Sequence, residues 1–395
     1  MSISKWVRGS MDNGSWIRRM FEEGNDLKKL YGADNVFDLS LGNPIMEPPP
    51  EFVRELRRLV EESPSGMHRY MENAGYLETR QAVAKQVSLE TGIKLDSNYI
   101  VMTCGAAGAM NVALKTILNP GDEVIIFAPF FAEYGNYIEN HNGVVVIMPT
   151  DDSFVPDLDA LEAGINARTK AVVINSPNNP SGAVYIGEFV GRLSTLLREK
   201  AAQYKQPIYL ISDEAYRKII FDGLSYPSPL TYYSDSIIGT SHSKDLALPG
   251  ERIGYLAVHP DCHNRDEILA GMIHCNRILG FVNAPAMMQH IVGHLQGITI
   301  SVDHYQRQRD FMYNGLTEMG FAIVKPQGAF YMFPRSPLED DVAFTREMQQ
   351  LKVLVVPGRG FASPGYFRIA YCVDDRTLEG SLDGFRKAAE KYRLS

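Results

Sequence analysis

Short, unbroken apolar runs punctuate the chain between residues 99 and 258, and the stretches between them carry apolar residues three or four positions apart. The runs at 99–103, 123–127, 144–148, 171–175, 208–213, 237–241 and 253–258 are rich in β-formers and predict seven strands. Their hydrophobicity is continuous rather than alternating, which calls for cover on both faces of a sheet, and the amphipathic stretches predict the helices that supply it. The expected fold is α/β, a three-layer sandwich around a mostly parallel seven-stranded sheet. Ligands in such sheets gather at the carboxyl ends of the strands, so the residues that close each run are the first place to look for chemistry.

After about residue 290 the pattern changes. A long polar helix pattern at 302–319 precedes short strands at 329–333, 353–356 and 367–371, the elements of a smaller α+β domain. Residues 15–31 also read as helical, and Gly42-Asn43-Pro44 with Pro48-Pro49-Pro50 reads as a crossing linker. The expected division is a large domain at 49–290 and a small domain built from 1–48 and 291–395.

Composition narrows the function. The chain has 395 residues, 45% of them hydrophobic, enough for a large core shared by two or three domains. A formal net charge of -8 and the lack of a basic stripe argue against nucleic acid. Residues 1–10 lack a secretory apolar run and no 18-residue apolar window occurs, so the expectation is a cytoplasmic protein with no membrane partner. Cys104, Cys262, Cys275 and Cys372 contain no Cys-x-x-Cys pair and the histidines no His-Glu-x-x-His, so free thiols and no metal are expected. The run Arg307-Gln308-Arg309-Asp310 reads as a solvated helix face.

The strand ends carry the candidate chemistry. After the run at 237–241 stands Ser241-His242-Ser243-Lys244, with Arg252 eight residues beyond the lysine. Such a lysine can bond an aldehyde while the hydroxyls and the arginine hold a phosphate, and pyridoxal phosphate carries both groups. Asp213 closes the run at 208–213, with Tyr216 three residues on. Asn175-Ser176-Pro177-Asn178-Asn179-Pro180-Ser181-Gly182 closes another run and by itself reads as a turn. Gly105, Ala106 and Ala107 stand between the first run and a helical pattern, where exposed N–H groups and the helix dipole favour a phosphate.

Taken in order, these segments resemble the class I/II aminotransferases, fold type I pyridoxal-phosphate enzymes, over residues 35 to 375. The resemblance implies a Schiff base on Lys244, which also serves as general acid and base. It implies that Asp213 keeps the cofactor's ring nitrogen protonated and that Tyr216 and Asn179 reach its phenolate oxygen. Ser241, Ser243, Arg252 and the backbone at Gly105, Ala106 and Ala107 would hold the phosphate. Related enzymes often have a hydroxyl residue where Ala106 and Ala107 stand, which shifts that burden to the serines and Arg252. Pro129-Phe130-Phe131 resembles the segment that stacks an aromatic ring on the cofactor, pointing to Phe131. His68-Arg69-Tyr70 resembles the segment whose tyrosine reaches the neighbouring subunit's phosphate, so Tyr70 implies a homodimer with shared active sites.

Phe367-Arg368-Ile369 resembles the strand whose arginine grips the substrate α-carboxylate, a bidentate task suited to a planar guanidinium. Gly42 matches a backbone donor to the same group. Arg277 falls near the position where aspartate aminotransferases carry an arginine for a distal carboxylate, the match requiring a one-residue gap. The implied reaction moves the amino group of an L-amino acid to a 2-oxo acid, commonly 2-oxoglutarate, with aspartate or aromatic amino acids as candidate donors. A lyase on the same scaffold is the alternative. A cofactor-sensing regulator would need a DNA-binding module for which the first 50 residues offer no helix-turn-helix pair.

Overall fold

The computed structural model describes residues 2–12 and 16–394. Seven strands form the large sheet: β1 (Ile100–Thr103), β2 (Glu123–Phe127), β3 (Val144–Met148), β4 (Thr169–Asn175), β5 (Tyr209–Asp213), β6 (Ser236–Ser241) and β7 (Gly254–Val258). Their spatial order is β1-β7-β6-β5-β4-β2-β3. β7 runs antiparallel to both neighbours and every other pair is parallel.

Alternate residues of each strand serve opposite layers. Val124 and Ile126 of β2 join the core under the helices Gly105–Ile117 and Arg265–Ile278, whereas Ile125 and Phe127 pack with Phe189, Leu193 and Leu197 of the helix Gly187–Tyr204. A third cluster covers the β1 and β7 end with the helices Leu77–Thr91 and Ala286–His294. The sheet is thus sandwiched, as its continuous apolar runs require. β3 departs from that rule: Val144 is 45% and Ile147 51% exposed. It is one of the sheet's two edge strands; β1, at the other edge, is fully buried beneath the helices Leu77–Thr91 and Ala286–His294.

The remaining strands form two small sheets. Phe37–Asp38 pairs in parallel with Val353–Leu354, and Phe367–Ala370 lies between Val356–Pro357 and Tyr331–Met332 in an antiparallel set. The run at 353–356, expected as one strand, is therefore split between two sheets, and the strand expected at 329–333 shortens to two residues. Around these sheets Phe321, Phe344, Phe367 and Phe385 build a separate aromatic core with the helices Val302–Glu318 and Asp375–Tyr392. The helix expected at 15–31 is Trp16–Tyr31; Ser15 lies outside the described residues.

The expected solvated face at Arg307-Gln308-Arg309-Asp310 is a correction. Arg309 is 0% exposed, and Gln308 is buried. The Arg309 guanidinium donates to both carboxylate oxygens of Asp222, at 2.7 and 2.8 Å, and to the Pro326 carbonyl at 2.8 Å. A charged side chain can occupy an inward face because Asp222 of a distant loop joins the adjacent Asp310, 2.8 Å from its Nε, as counter-ion, and the distant partner is not revealed by periodicity. Among the described residues no helix is long and apolar enough to cross a membrane.

Candidate active site

The carboxyl ends of β4, β5 and β6, the helix start after β1, and Phe367–Ala370 enclose a cavity of about 260 Å³. Into it the fold brings Lys244, Asp213, Tyr216, Asn179, Arg252 and Arg368, with Ser241, Ser243, Ala106, Ala107, Phe131 and Gly42 in the same walls.

Lys244 stands on the four-residue helix His242–Asp245 immediately after β6. Its Nζ donates to the Gly42 carbonyl at 2.9 Å and lies 5.2 Å from the Phe330 ring centre. Burial pulls the amine down to about 8, and Arg368 and Arg252 add repulsion that Cys372 partly opposes. The neutral, nucleophilic form is therefore far more accessible near physiological pH than in an ordinary lysine, although the ammonium still predominates below about pH 8. The Gly42 group engaged here is its carbonyl, whereas the resemblance pointed to its N–H. A Cβ at Gly42 would run into the Tyr331 ring, so the close approach requires glycine.

Asp213 is buried at the end of β5, and burial pushes its carboxyl up while bonds from the Tyr134 hydroxyl, at 2.6 Å, and the Ala215 N–H oppose the rise. Asn175 ties the neighbouring strand ends together: its Nδ2 donates to the Asp213 carbonyl at 3.0 Å and its Oδ1 accepts from the Asn179 N–H at 2.8 Å. Asn179 Oδ1 in turn accepts from Arg368. The Tyr216 hydroxyl shares a 2.9 Å bond with the Tyr331 hydroxyl.

At the opposite end, Gly105 opens the helix Gly105–Ile117 with φ +70, and a Cβ there would meet Arg252 Nη2 at 2.9 Å. The arginine can therefore lie against the helix start, beside the free N–H groups of Ala106 and Ala107 and the hydroxyls of Ser241 and Ser243. Arg252 Nη1 also donates to the Pro249 carbonyl at 3.0 Å. Three donor types, guanidinium, backbone N–H and hydroxyl, gather in this part of the cavity wall.

Arg368 is buried on its strand. It donates to the Asn179 Oδ1 at 3.0 Å and the Ser40 carbonyl at 2.6 Å, while its Nε has no partner among the described residues. Burial lowers its pKa, a sign that the cation sits without full compensation. An anion entering the cavity would supply it.

Some expected residues lie elsewhere. Tyr70 is 90% exposed and does not line this cavity. Arg277 sits at the end of the helix Arg265–Ile278, its Nη2 3.4 Å from His274 Nδ1, also outside the cavity. Gly105 lies just behind the wall. Three participants had been assigned no part. Tyr134 was signalled only by its spacing from Phe131, and Asn175 only by closing its strand. Tyr331 comes from another sheet, and no local pattern near Lys244 points to it.

A helix amino terminus with two hydroxyls and an arginine at one end, a buried carboxylate at the other and a lysine of lowered basicity between them fit pyridoxal phosphate: anion, ring nitrogen and aldehyde each meet a complementary group. The fold and the site define an α/β enzyme of fold type I. Residues 34–385 match the family described as Aminotransferase class I and II, and the chain belongs to that family. It is a pyridoxal-phosphate-dependent aminotransferase. It is 31% identical to a probable aspartate aminotransferase of Methanocaldococcus jannaschii, over 89% of this chain and 92% of that protein. It is also 31% identical to aromatic-amino-acid aminotransferase 2 of Thermococcus litoralis, over 98% of each. An aminotransferase structure from Eubacterium rectale superimposes with a TM-score of 0.96 at 37% identity, covering 99% of both chains. Neither the lyase nor the regulator alternative is favoured.

Proposed function

We propose that this aminotransferase takes its amino group from an aromatic or other apolar L-amino acid and delivers it to a 2-oxo acid, with 2-oxoglutarate the expected acceptor. When bound, pyridoxal phosphate supplies an aldehyde that captures amines and a ring that draws electron density from the Cα–H bond. The residues of this chain do the rest. Lys244 would hold the aldehyde and is the base placed to carry the proton at Cα. Asp213, steadied by Tyr134, holds the ring nitrogen protonated. Tyr216 and Asn179 would donate to the ring oxygen, Phe131 would cover the ring, and Ser241, Ser243, Arg252, Ala106 and Ala107 would hold the phosphate. Arg368 grips the α-carboxylate, with Gly42 beside it.

The observation that carries this reading is the buried, incompletely paired Arg368 in the same cavity as a lysine whose amine burial brings down to about 8. The apolar side chains of Ile17 and Leu41 and the rings of Tyr137 and Tyr331 support an apolar substrate side chain. Aspartate is the second reading, favoured by the names of relatives, with Arg277 of the partner subunit as reader of the distal carboxylate. A panel of donors with 2-oxoglutarate decides between them: aromatic donors should exceed aspartate in kcat/KM by about tenfold or more, and Arg277→Ala should leave aspartate kinetics unchanged. Preferred use of aspartate, lost in Arg277→Ala, would establish the second reading. Arg368→Ala should lower kcat/KM for every donor by about a hundredfold or more.

We further infer a division at 49–290 against 1–48 with 291–395, and a homodimer in which the exposed Tyr70 reaches the neighbouring phosphate. Four free cysteines suit a reducing compartment such as the cytoplasm.

A further inference from the structure

Behind the Lys244 turn lies a cluster of ionisable groups, buried at Glu214, His242, Asp245 and Tyr255 and partly exposed at Glu90, Arg217 and Lys218, none of which lines the cavity. Arg217 pairs with Glu90, donates to the Tyr255 hydroxyl at 2.8 Å, and brings its Nε within 3.9 Å of Glu214, which is 0% exposed. Lys218 Nζ lies 3.6 Å from Asp245 Oδ2 and 3.9 Å from Glu90. His242 Nδ1 is 3.2 Å from the same Asp245 oxygen, and its Nε2 is 3.4 Å from Gln296 Nε2. The Asp245 carbonyl accepts from the Ile300 N–H at 2.8 Å and the Thr299 hydroxyl at 3.1 Å. Although burial pushes the Asp245 carboxyl up, His242, Lys218 and Arg217 outweigh it and hold the group below its usual range.

His242 and Asp245 are the two ends of the four-residue helix that presents Lys244. A helix that short has almost no hydrogen bonds of its own, because the first four N–H and last four C=O groups of any helix lack internal partners. Its orientation therefore depends on what its side chains and ends are tied to. Here one side carries the lysine into the cavity, and the flanking residues are fastened to Lys218, Gln296, Thr299 and Ile300. We propose that His242 and Asp245 are positioning residues for the reacting amine, holding the turn so that Lys244 Nζ stays in line with the atoms it serves. This inference rests on Lys244 being that amine. A displacement of ~1 Å at such a group lowers the rate by roughly a hundredfold.

Two experiments keep the two claims apart. Borohydride reduction of the wild-type holoenzyme followed by peptide mapping should leave the cofactor's mass on Lys244; its appearance on another residue, or on none, removes the reading itself. For the inference, Asp245→Asn, His242→Ala and His242→Gln are compared for kcat, KM, melting temperature and the rate at which apoprotein captures pyridoxal phosphate. Asp245→Asn and His242→Ala should lower both kcat and the capture rate by about tenfold or more, with donor KM within about threefold, since Arg368 and the cavity walls are untouched. His242→Gln, which keeps a donor for Asp245, should recover most of the loss. Wild-type kcat and capture rates in Asp245→Asn and His242→Ala, with only the melting temperature lowered, would reduce the cluster to a packing role. Equal losses in His242→Ala and His242→Gln would do the same for the hydrogen bond. If Asp245→Asn does not fold, the two His242 variants decide the matter on these readouts.

Discussion

Lys244 is a base weakened by its surroundings, and that has a thermodynamic signature. Its amine, ordinarily at 10.5, is brought to about 8 in the fold by burial, with Arg368 and Arg252 contributing. Between those values the unfolded chain binds the proton and the folded chain does not, so this group's contribution to stability rises with pH across the window. Below about pH 8 the charged amine is carried into the cavity and its full penalty applies. Chemical unfolding of the apoprotein should show wild type gaining stability relative to Lys244→Met between pH 8 and 10.5. A difference curve flat through that interval would mean that the amine is not desolvated. The same residue displays the bond between stability and chemistry: what destabilises its charged form also makes it reactive.

At the scale of elements, the phosphate end depends on how the helix Gly105–Ile117 begins. Gly105 holds φ +70, and the missing Cβ leaves room for Arg252. Gly105→Ala introduces both left-handed strain, about 1–2 kcal/mol, and a contact that pushes the guanidinium away. The expected result is cofactor affinity weakened by about tenfold, with a lower melting temperature; unchanged affinity by fluorescence titration would show that Arg252 does not act through this approach. The two short sheets show the reverse dependence. Val353–Leu354 and Val356–Pro357 share one apolar run, yet each follows its own partner, Phe37–Asp38 in one case and Phe367–Ala370 in the other.

Across the whole molecule, Arg309 connects distant parts of the chain. It lies on the helix Val302–Glu318, and its counter-ion Asp222 belongs to the segment that follows β5 and the site residues Asp213 and Tyr216. Removing the Asp222 carboxylate leaves the buried guanidinium with Asp310 alone, whose Oδ1 lies 2.8 Å from its Nε, and two of its N–H groups lose their acceptor, so Asp222→Ala should cost roughly 1–3 kcal/mol in denaturant unfolding. Adding Arg309→Met should recover part of that loss, because the under-compensated buried charge is gone. A neutral Asp222→Ala would show the pair to be well enough solvated to contribute nothing.

The order of apolar runs alone determined the seven-stranded sheet, because continuous hydrophobicity along a strand has few structural solutions. The residues closing those runs pointed to Lys244, Asp213, Asn179 and Arg252, since strand ends are where such sheets place chemistry. Arg368, whose own strand lies in the small antiparallel set, was named from its motif; its burial and its missing partner were not legible there. Tyr134 on Asp213, Tyr331 on Tyr216, the Asp222 counter-ion and the anchors of His242 and Asp245 were decided only by tertiary structure. Each joins residues brought together by folding, and the energy of burying a polar group depends on partners that local sequence does not identify.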